Sequence, residues 1–308
     1  MKNPHDHYFT NMLEIKSVAK SFFMSLLPQA INEALDWDTL KIDESARRNA
    51  NEENTRTDIT YACTLKEEGI PIFLHGEQER SDSVAKIIER NHRYNAGIMS
   101  RHRRQGNKKM PVIINFLLHN NPKISTKSYP KHSFECSEVP WLEKLLHGEC
   151  CFLLNVKQTP DEILARYGPS GIMDLLIKRA EERNFSEWLK SNGHLIKNIA
   201  LEDTTWDDVF DLSLSYVVRV AVDKSQGLLD TFEALFPQYE EKIMTVARQL
   251  ERKGEKVGEI KGKKVGEIVG EHKKAIEVAQ NLHKLNLDID MIQQATGLTK
   301  GELKEILQ

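Results

Sequence analysis

Residues 57–81 read TDITYACTLKEEGIPIFLHGEQERS and contain the pattern that decides the fold. Two stretches rich in β-branched and aromatic residues, 58–65 and 70–79, flank the turn-like KEEG at 66–69. Short runs of this composition around a turn predict two strands. If the strands pair as a hairpin, the start of the first lies opposite the end of the second.

Acidic residues occupy the positions that such a hairpin brings together. Asp58 begins the first strand, and Glu77 and Glu79 end the second. Side chains alternate along a strand, so Glu77 and Glu79 are predicted to share a face. Three converging carboxylates repel one another, and Mg²⁺ prefers such oxygen ligands. A cation held there activates water and stabilises charge on a phosphodiester. Solvated acids at two strand ends are the alternative.

The flanking sequence extends this hairpin into an α/β fold. Helical spacing of apolar residues runs from Phe9 to Leu27 and stops at Pro28, and a shorter helical stretch is predicted near 31–40. The sequence also predicts a helix over 83–103 and strands over 111–118 and 150–156. This order predicts a small α/β core that ends near residue 158.

A basic segment follows the predicted helix. Residues 101–109 read RHRRQGNKK, with five Lys or Arg and no acid. Lys and Arg supply most of the non-specific affinity for nucleic acid through phosphate contacts. We expect this segment to lie beside the acids and to hold DNA, with a solvated charged loop as the alternative. The candidate phosphate ligands are Arg90, Arg101, Arg103, Arg104, Lys108 and Lys109.

An ordered set of segments resembles the recombination-promoting nuclease / putative transposase (Rpn-like) family of the PD-(D/E)XK nuclease superfamily. The resemblance covers about residues 3–130, and the glycine-punctuated tail is also similar. The segments are HDHYFTNML (5–13), SFFMSLLP (21–28), LDWDTLKI (35–42), TDITY (57–61), HGEQERS (75–81), RNHRYNAGIM (90–99) and GNKKMPVIINFLLHN (106–120).

The resemblance implies a restriction-endonuclease-like core, with a small mixed sheet flanked by helices, followed by an α-helical C-terminal region. It implies a Mg²⁺-dependent DNA endonuclease linked to recombination or mobile elements. Asp58 and Glu77 would be the metal ligands, with Glu79 as a further ligand or a water-orienting group. The family usually shows Glu-His-Gln-Ser where this chain has Glu77-Gln78-Glu79-Arg80-Ser81.

The motif admits a second register. A gapless match on the downstream residues puts Gln78 and Arg80 at the family's Glu and Gln positions. Only the register with Glu77 and Glu79 supplies carboxylate ligands, and we prefer it for that reason. Asp6, in the N-terminal His-Asp pair, is interpreted as a helix cap, with an auxiliary active-site acid as the alternative.

The C-terminal half is predicted to be helical and to divide into three parts. A helical region covers 159–250 and includes one helix predicted over 172–189, a charged helix or linker covers 251–274, and a short helical cap covers 275–308. Glycine recurs every fourth residue from Gly254 to Gly270. Glycine weakens a helix, so this stripe favours close approach of a second helix, and we predict a homo-oligomer through this segment. A helix-turn-helix DNA reader is a weaker interpretation of the last segment.

Composition excludes several classes of protein. The chain has 308 residues, 40% of them hydrophobic and 29% charged, with a formal net charge of -3. This is neither a disordered chain nor a wholly basic nucleic-acid wrapper. No apolar run is long enough to span a membrane, and the N-terminus lacks a secretory h-region. Four cysteines without CxxC spacing predict free thiols in a reducing compartment, hence a cytoplasmic protein.

Two other functions remain open at the level of the sequence. A catalytically degenerate DNA-binding or transposase-accessory protein would bind DNA without cutting it. An oligomerisation module would self-associate through its tail and ignore DNA.

Overall fold

The computed structural model describes residues 3–43, 59–67, 69–80, 84–123, 151–202, 205–222 and 226–307. The strands are β1 (Leu35–Ile42), β2 (Ile59–Leu65), β3 (Pro71–Glu79), β4 (Val112–His119) and β5 (Cys151–Asn155). The helices that precede or alternate with them are α1 (Pro4–Glu14), α2 (Lys16–Leu26), α3 (Gln29–Ala34) and α4 (Val84–Arg104). The later helices are α5 (Asp161–Ala165), α6 (Pro169–Arg179), α7 (Phe185–Glu202), α8 (Trp206–Val220), α9 (Gln226–Leu235), α10 (Glu240–Lys284), α11 (Ile289–Thr296) and α12 (Lys300–Ile306), with a 3₁₀ turn at Pro237–Tyr239.

The five strands form one mixed sheet in the order β1-β2-β3-β4-β5. β1, β2 and β3 are antiparallel neighbours, so the predicted hairpin is confirmed. β3, β4 and β5 run parallel to one another. The carboxyl ends of these three strands therefore meet at one edge of the sheet, where Glu79 is in register with His119.

Helices α1 and α2 pack on one face of the sheet. Phe22 and Phe23 make ring contacts with Phe116, and the Tyr61 hydroxyl donates to the Leu13 carbonyl at 2.7 Å. A Cβ at position 76 would lie 2.9 Å from Leu13 Cδ1. Glycine at this position therefore allows α1 to approach the middle of β3.

Helix α4 covers the other face and runs antiparallel to β3. Its C-terminal turns lie near the start of β3, where His102 packs edge-on against Phe73. About two turns back along the helix, Tyr94 packs against His75. The N-terminal half of α4 consequently lies over the carboxyl end of β3.

Most predicted elements are present, and two predictions are wrong. The helix predicted near 31–40 ends at Ala34, and Leu35–Ile42 is a strand instead. Pairing with β2 and burial of Leu35, Trp37 and Leu40 override the helical spacing there. The helix predicted over 172–189 is broken between Arg179 and Phe185.

The described chain forms two compact units, residues 1–240 and 241–308. The first contains the sheet, α1 to α4 and the five helices α5 to α9. The α6 helix is buried along nearly its whole length and contacts α1, α2 and α7. The helices after β5 therefore belong to the same compact unit as the sheet.

The second unit consists of most of α10 together with α11 and α12. Its small core contains Ala279, Ile292, Leu298 and Leu303. Gly297 ends α11 in a left-handed conformation with φ +72°, a geometry that glycine adopts without strain. The whole glycine stripe lies within α10, and a Cβ at Gly262, Gly266 or Gly270 would meet no described atom within 4 Å.

Within the described ranges, no helix has both the length and the apolar character that crossing a membrane requires. Cys63 and Cys151 both carry free thiols.

One carboxylate in the first unit is buried without a partner. Asp174 on α6 is fully buried, and neither of its oxygens has a hydrogen-bond partner among the described residues. Burial raises its pKa well above the usual value. The folded state therefore holds a proton on Asp174 that the unfolded chain releases at a lower pH, so stability falls as the pH rises.

We expect Asp174→Asn to stabilise the protein at neutral pH, because an amide removes the need to bury a charge or hold a proton. The gain in melting temperature over wild type should grow as the pH rises from about 4, the unfolded aspartate pKa, towards 7. Thermal denaturation of both proteins across this range tests it. Asp38→Asn, at an exposed acid on β1, is the control and should show no such trend. A pH-independent difference for Asp174→Asn would contradict the assignment.

Candidate active site at the carboxyl end of β3

Two buried carboxylates lie side by side at the end of β3. Glu77 is 3% exposed and Glu79 is 9% exposed. Arg90, on the N-terminal half of α4, contacts both of them. Its Nε lies 2.8 Å from Glu77 Oε1, and its Nη2 pairs with Glu79 Oε2. The two acids therefore share the face of the sheet that α4 covers, as strand alternation predicts.

Gln78 and Arg80 point to the opposite face. Gln78 Nε2 donates to Asn120 Oδ1 at 3.4 Å, and Gln78 Oε1 is buried with no hydrogen-bond partner among the described residues. The Arg80 guanidinium donates through two nitrogens to Glu181, at 3.3 and 3.1 Å. The two registers of the motif thus correspond to two different faces of the sheet.

Asp58 lies outside the described residues, as does Ser81. Ile59, the residue after Asp58, is in register with Gly76, the residue before Glu77. Among the described residues, no three His, Cys, Asp or Glu side chains form a group that could hold a metal. The predicted three-carboxylate cluster includes Asp58, which lies outside the described residues, so the cluster was not part of that search.

A chain of polar side chains, buried at His5 and Tyr216 and exposed at Glu181, supports the strand end from the α1 side. His5 Nε2 bonds Glu181 Oε1 at 2.9 Å, and His5 Nδ1 bonds the Tyr216 hydroxyl at 2.6 Å. Burial lowers the pKa of His5, opposed by Glu181, so the neutral imidazole is favoured at pH 7. His5 and Glu181 together therefore link α1, α8 and the residue that follows β3. The N-cap of α1 is Asn3 rather than Asp6, which lies in the first turn.

The basic segment 101–109 lies at the other end of the sheet. It precedes β4, whose first residue, Val112, is in register with Ile72 near the start of β3. Arg103 and Arg104 are some 13 residues along α4 from Arg90, which is roughly 20 Å at 1.5 Å per residue. The expectation that the basic segment adjoins the acids is wrong, because α4 runs away from the carboxyl end of β3.

The six candidate phosphate ligands have different environments. Arg103, Arg104, Lys108 and Lys109 are exposed. Arg101 is half-buried, and burial lowers its pKa despite the nearby charge of Asp43. Arg90 is engaged with the two glutamates. Its role as their counter-ion was missed because the sequence does not specify which turn of α4 lies above which residue of β3.

This geometry defines a class of protein: an α/β protein with two buried acids side by side at the end of a central strand. Residues 3–206 match the model of the family described as "Putative transposase, YhgA-like", and the chain belongs to that family. The resemblance to the Rpn-like putative transposase family, drawn from the sequence motifs, is thereby confirmed.

Two curated relatives match nearly the whole chain, and a third matches 80% of it. Recombination-promoting nuclease RpnA of Escherichia coli K12 is 22% identical over 97% of this chain and 96% of its own length. A protein of the same strain named inactive recombination-promoting nuclease-like protein RpnE is 18% identical over 98% and 96%. Recombination-promoting nuclease RpnD of Escherichia coli O157:H7 is 20% identical over 80% and 94%. No solved structure matches the chain.

We expect Arg90→Gln to destabilise the protein by about 2 kcal/mol, because two buried carboxylates lose their cation. The effect falls below that of a fully buried pair since the Arg90 side chain is 35% exposed. Urea denaturation measures the change. The control is Arg93→Gln, whose side chain is 71% exposed and pairs with Glu89 on the same helix. That variant should lose no more than about 0.5 kcal/mol. Equal losses in both variants would contradict the assignment of Arg90.

Proposed function

We propose that this protein is a metal-dependent DNA endonuclease with a restriction-endonuclease-like core, acting in recombination or on mobile elements. The observation that carries the proposal is the buried pair Glu77 and Glu79, on one face at the end of β3. Two relatives named recombination-promoting nucleases support it, because they align over 97% and 80% of this chain. Asp58 directly precedes the strand that pairs with β3 and is proposed as the third acid.

The donor set fits a hard divalent cation such as Mg²⁺. Glu77 and Glu79 offer carboxylate oxygens, and such ligands suit Mg²⁺ better than softer metals. Asp58 and Glu77 would hold the ion, with Glu79 as a further ligand or a water-orienting group. A bound ion would supply charge stabilisation on the phosphodiester and an activated water.

The residues of the chain itself have distinct roles in this proposal. Burial keeps bulk water from the carboxylates and strengthens their attraction for any cation. Arg90 neutralises them when no metal is present and must give up at least one contact when a metal binds. Released from Glu79, its guanidinium lies next to the site and would donate to a phosphate oxygen. Arg90 would thus be the counter-ion of the two glutamates without metal and a phosphate ligand once a metal is bound.

A catalytically degenerate DNA-binding or transposase-accessory protein is the second candidate. The Arg90 ion pairs favour it, because a permanent guanidinium bridge would occupy both carboxylates. Gln78 also favours it, since in the gapless register an amide replaces the family's acid. A relative named as inactive aligns over nearly the whole chain.

Supercoiled plasmid cleavage distinguishes the two candidates. We expect nicking or linearisation by the wild type with Mg²⁺ and none with EDTA. Asp58→Ala and Glu77→Gln should each abolish cleavage, because each removes a proposed ligand, while DNA binding persists. Glu89→Gln, at an exposed acid on α4, is the control and should cut like wild type. Plasmid that is bound but never cut by the wild type would establish the degenerate protein instead.

The variant Gln78→Glu tests which of the two registers of the motif at 77–81 is correct. If Gln78 stands at the acid position, Gln78→Glu should raise cleavage. Under the preferred register the same change places an uncompensated charge on the buried α1 face, so cleavage should not rise and stability should fall. The plasmid assay and a thermal melt read the two effects separately.

We propose that the exposed basic residues at the end of α4 contact DNA phosphates. Replacing Arg103, Arg104, Lys108 and Lys109 together by Gln should weaken binding to every sequence. It should also reduce the slope of log affinity against log salt by about 0.9 for each phosphate that is no longer neutralised. An unchanged slope would mean that this segment is only a solvated surface.

Self-association through Gly254–Gly270 is proposed separately. Apart from the helix's own backbone, a Cβ at three of these glycines would meet no described atom of the same chain within 4 Å, so the stripe leaves room for a second helix. Gly266→Leu would fill that space, and we expect it to lower the sedimenting mass of an oligomeric wild type. A wild type that sediments as a monomer at all accessible concentrations would refute the proposal.

A further inference from the structure

An exposed apolar cluster lies at the amino ends of β3 and β4, at the opposite end of the sheet from Glu77. It consists of Ile70, Met110 and Val112, which are 47%, 60% and 46% exposed. Val112 is in register with Ile72, so the residues that precede the two parallel strands are neighbours at one edge. A soluble protein gains nothing from leaving these side chains in water, and grouped exposed apolar residues mark binding sites.

A shallow groove on the α4 side shares Met110 with this cluster, whereas Val112 lies on the α1 face by strand alternation with Phe116. Its volume is about 540 Å³, within the range of ligand sites. The apolar lining comes from Ala96, Met99 and Met110, and the polar lining comes from Ser100, Arg103 and Arg104. The Arg104 side chain is held by a hydrogen bond from Nη2 to Ser100 Oγ at 3.2 Å.

Charge at the groove is strongly one-sided. Residues 90–123 contain no Asp or Glu, and Arg103, Arg104, Lys108 and Lys109 are all exposed. The surface therefore combines an apolar floor with a rim of cations. A duplex presents only phosphates to such a rim and would leave the apolar floor in water. An unpaired base presents an apolar face and carries a phosphate on either side.

We propose that this groove, defined by Met99, Arg103, Arg104 and Met110, binds an unpaired nucleotide of a DNA substrate. The inference rests on the proposed DNA role and adds a substrate class, namely DNA with a single-stranded gap, flap or junction. Single-strand-binding surfaces combine a positive groove with side chains that cover base faces, and methionine is among the apolar residues that proteins insert between bases. Arg103 and Arg104 would hold the flanking phosphates.

The position of the groove predicts where the unpaired base lies. Its lining residues on α4, from Ala96 to Arg104, lie roughly 9 to 21 Å along the helix from Arg90. At about 3.4 Å per nucleotide, this corresponds to about three to six nucleotides between the candidate active site and the groove. The substrate would thus be anchored at one end of the sheet and cut at the other.

Fluorescence anisotropy with the full-length protein in EDTA tests the inference. The probes are a blunt duplex and the same duplex with a short single-stranded gap. The wild type should bind the gapped probe about fivefold more tightly, which corresponds to covering one base. Met110→Ser should remove this preference and leave affinity for the blunt duplex unchanged. Arg103→Gln with Arg104→Gln should weaken binding to both probes.

Met291→Ser is the matched control, because Met291 is 61% exposed and lies in the second unit. It should keep the full preference. Equal affinity of the wild type for both probes, or a preference that survives Met110→Ser, would overturn the inference while leaving the proposed nuclease intact. Failure of the wild type to bind either probe would instead overturn the DNA role, and the inference with it.

Discussion

The ion pairs between Arg90 and the two glutamates of β3 are the interaction on which the candidate site depends. Two carboxylates buried on one face of a strand cannot both remain ionised without a nearby cation. Arg90 supplies that charge from α4, and it thereby fixes how the N-terminal half of α4 lies over the strand. The same demand for positive charge is what a divalent metal would satisfy. We propose that this one arrangement serves both as a structural ion pair and as a latent cation site.

The opposite face of β3 is built differently. Gly76 lets α1 approach closely, and the chain His5, Glu181 and Arg80 ties the residue after the strand to α1 and α8. On that face the charges of Arg80 and Glu181 pair with each other, and the uncharged Gln78 is hydrogen-bonded to Asn120. The two registers of the motif therefore differ physically: one uses the acids on the α4 face, and the other uses Gln78 and Arg80 on the α1 face. Only the α4 face, among the residues that the structure describes, presents two acids to one removable cation.

The sequence predicted much of this arrangement and missed its long-range part. Alternation and the KEEG turn predicted the hairpin and the shared face of Glu77 and Glu79, because both are local properties. The strand at Leu35–Ile42 was missed because its pairing with β2 is not visible in residue spacing. The distance between the basic segment and the acids was also missed, since it depends on the direction in which α4 crosses the sheet. The ion pairs of Arg90 with the two glutamates were missed for the same reason.

We propose that Glu77 and Glu79 form a cation site which Arg90 occupies in the absence of metal. Crystals of the protein soaked in Mn²⁺, with anomalous scattering collected at the manganese edge, test this most directly. We expect an anomalous peak beside these two carboxylates and displacement of Arg90 from at least one of them. Arg90 bridging both glutamates unchanged, with no peak at the end of β3, would contradict it.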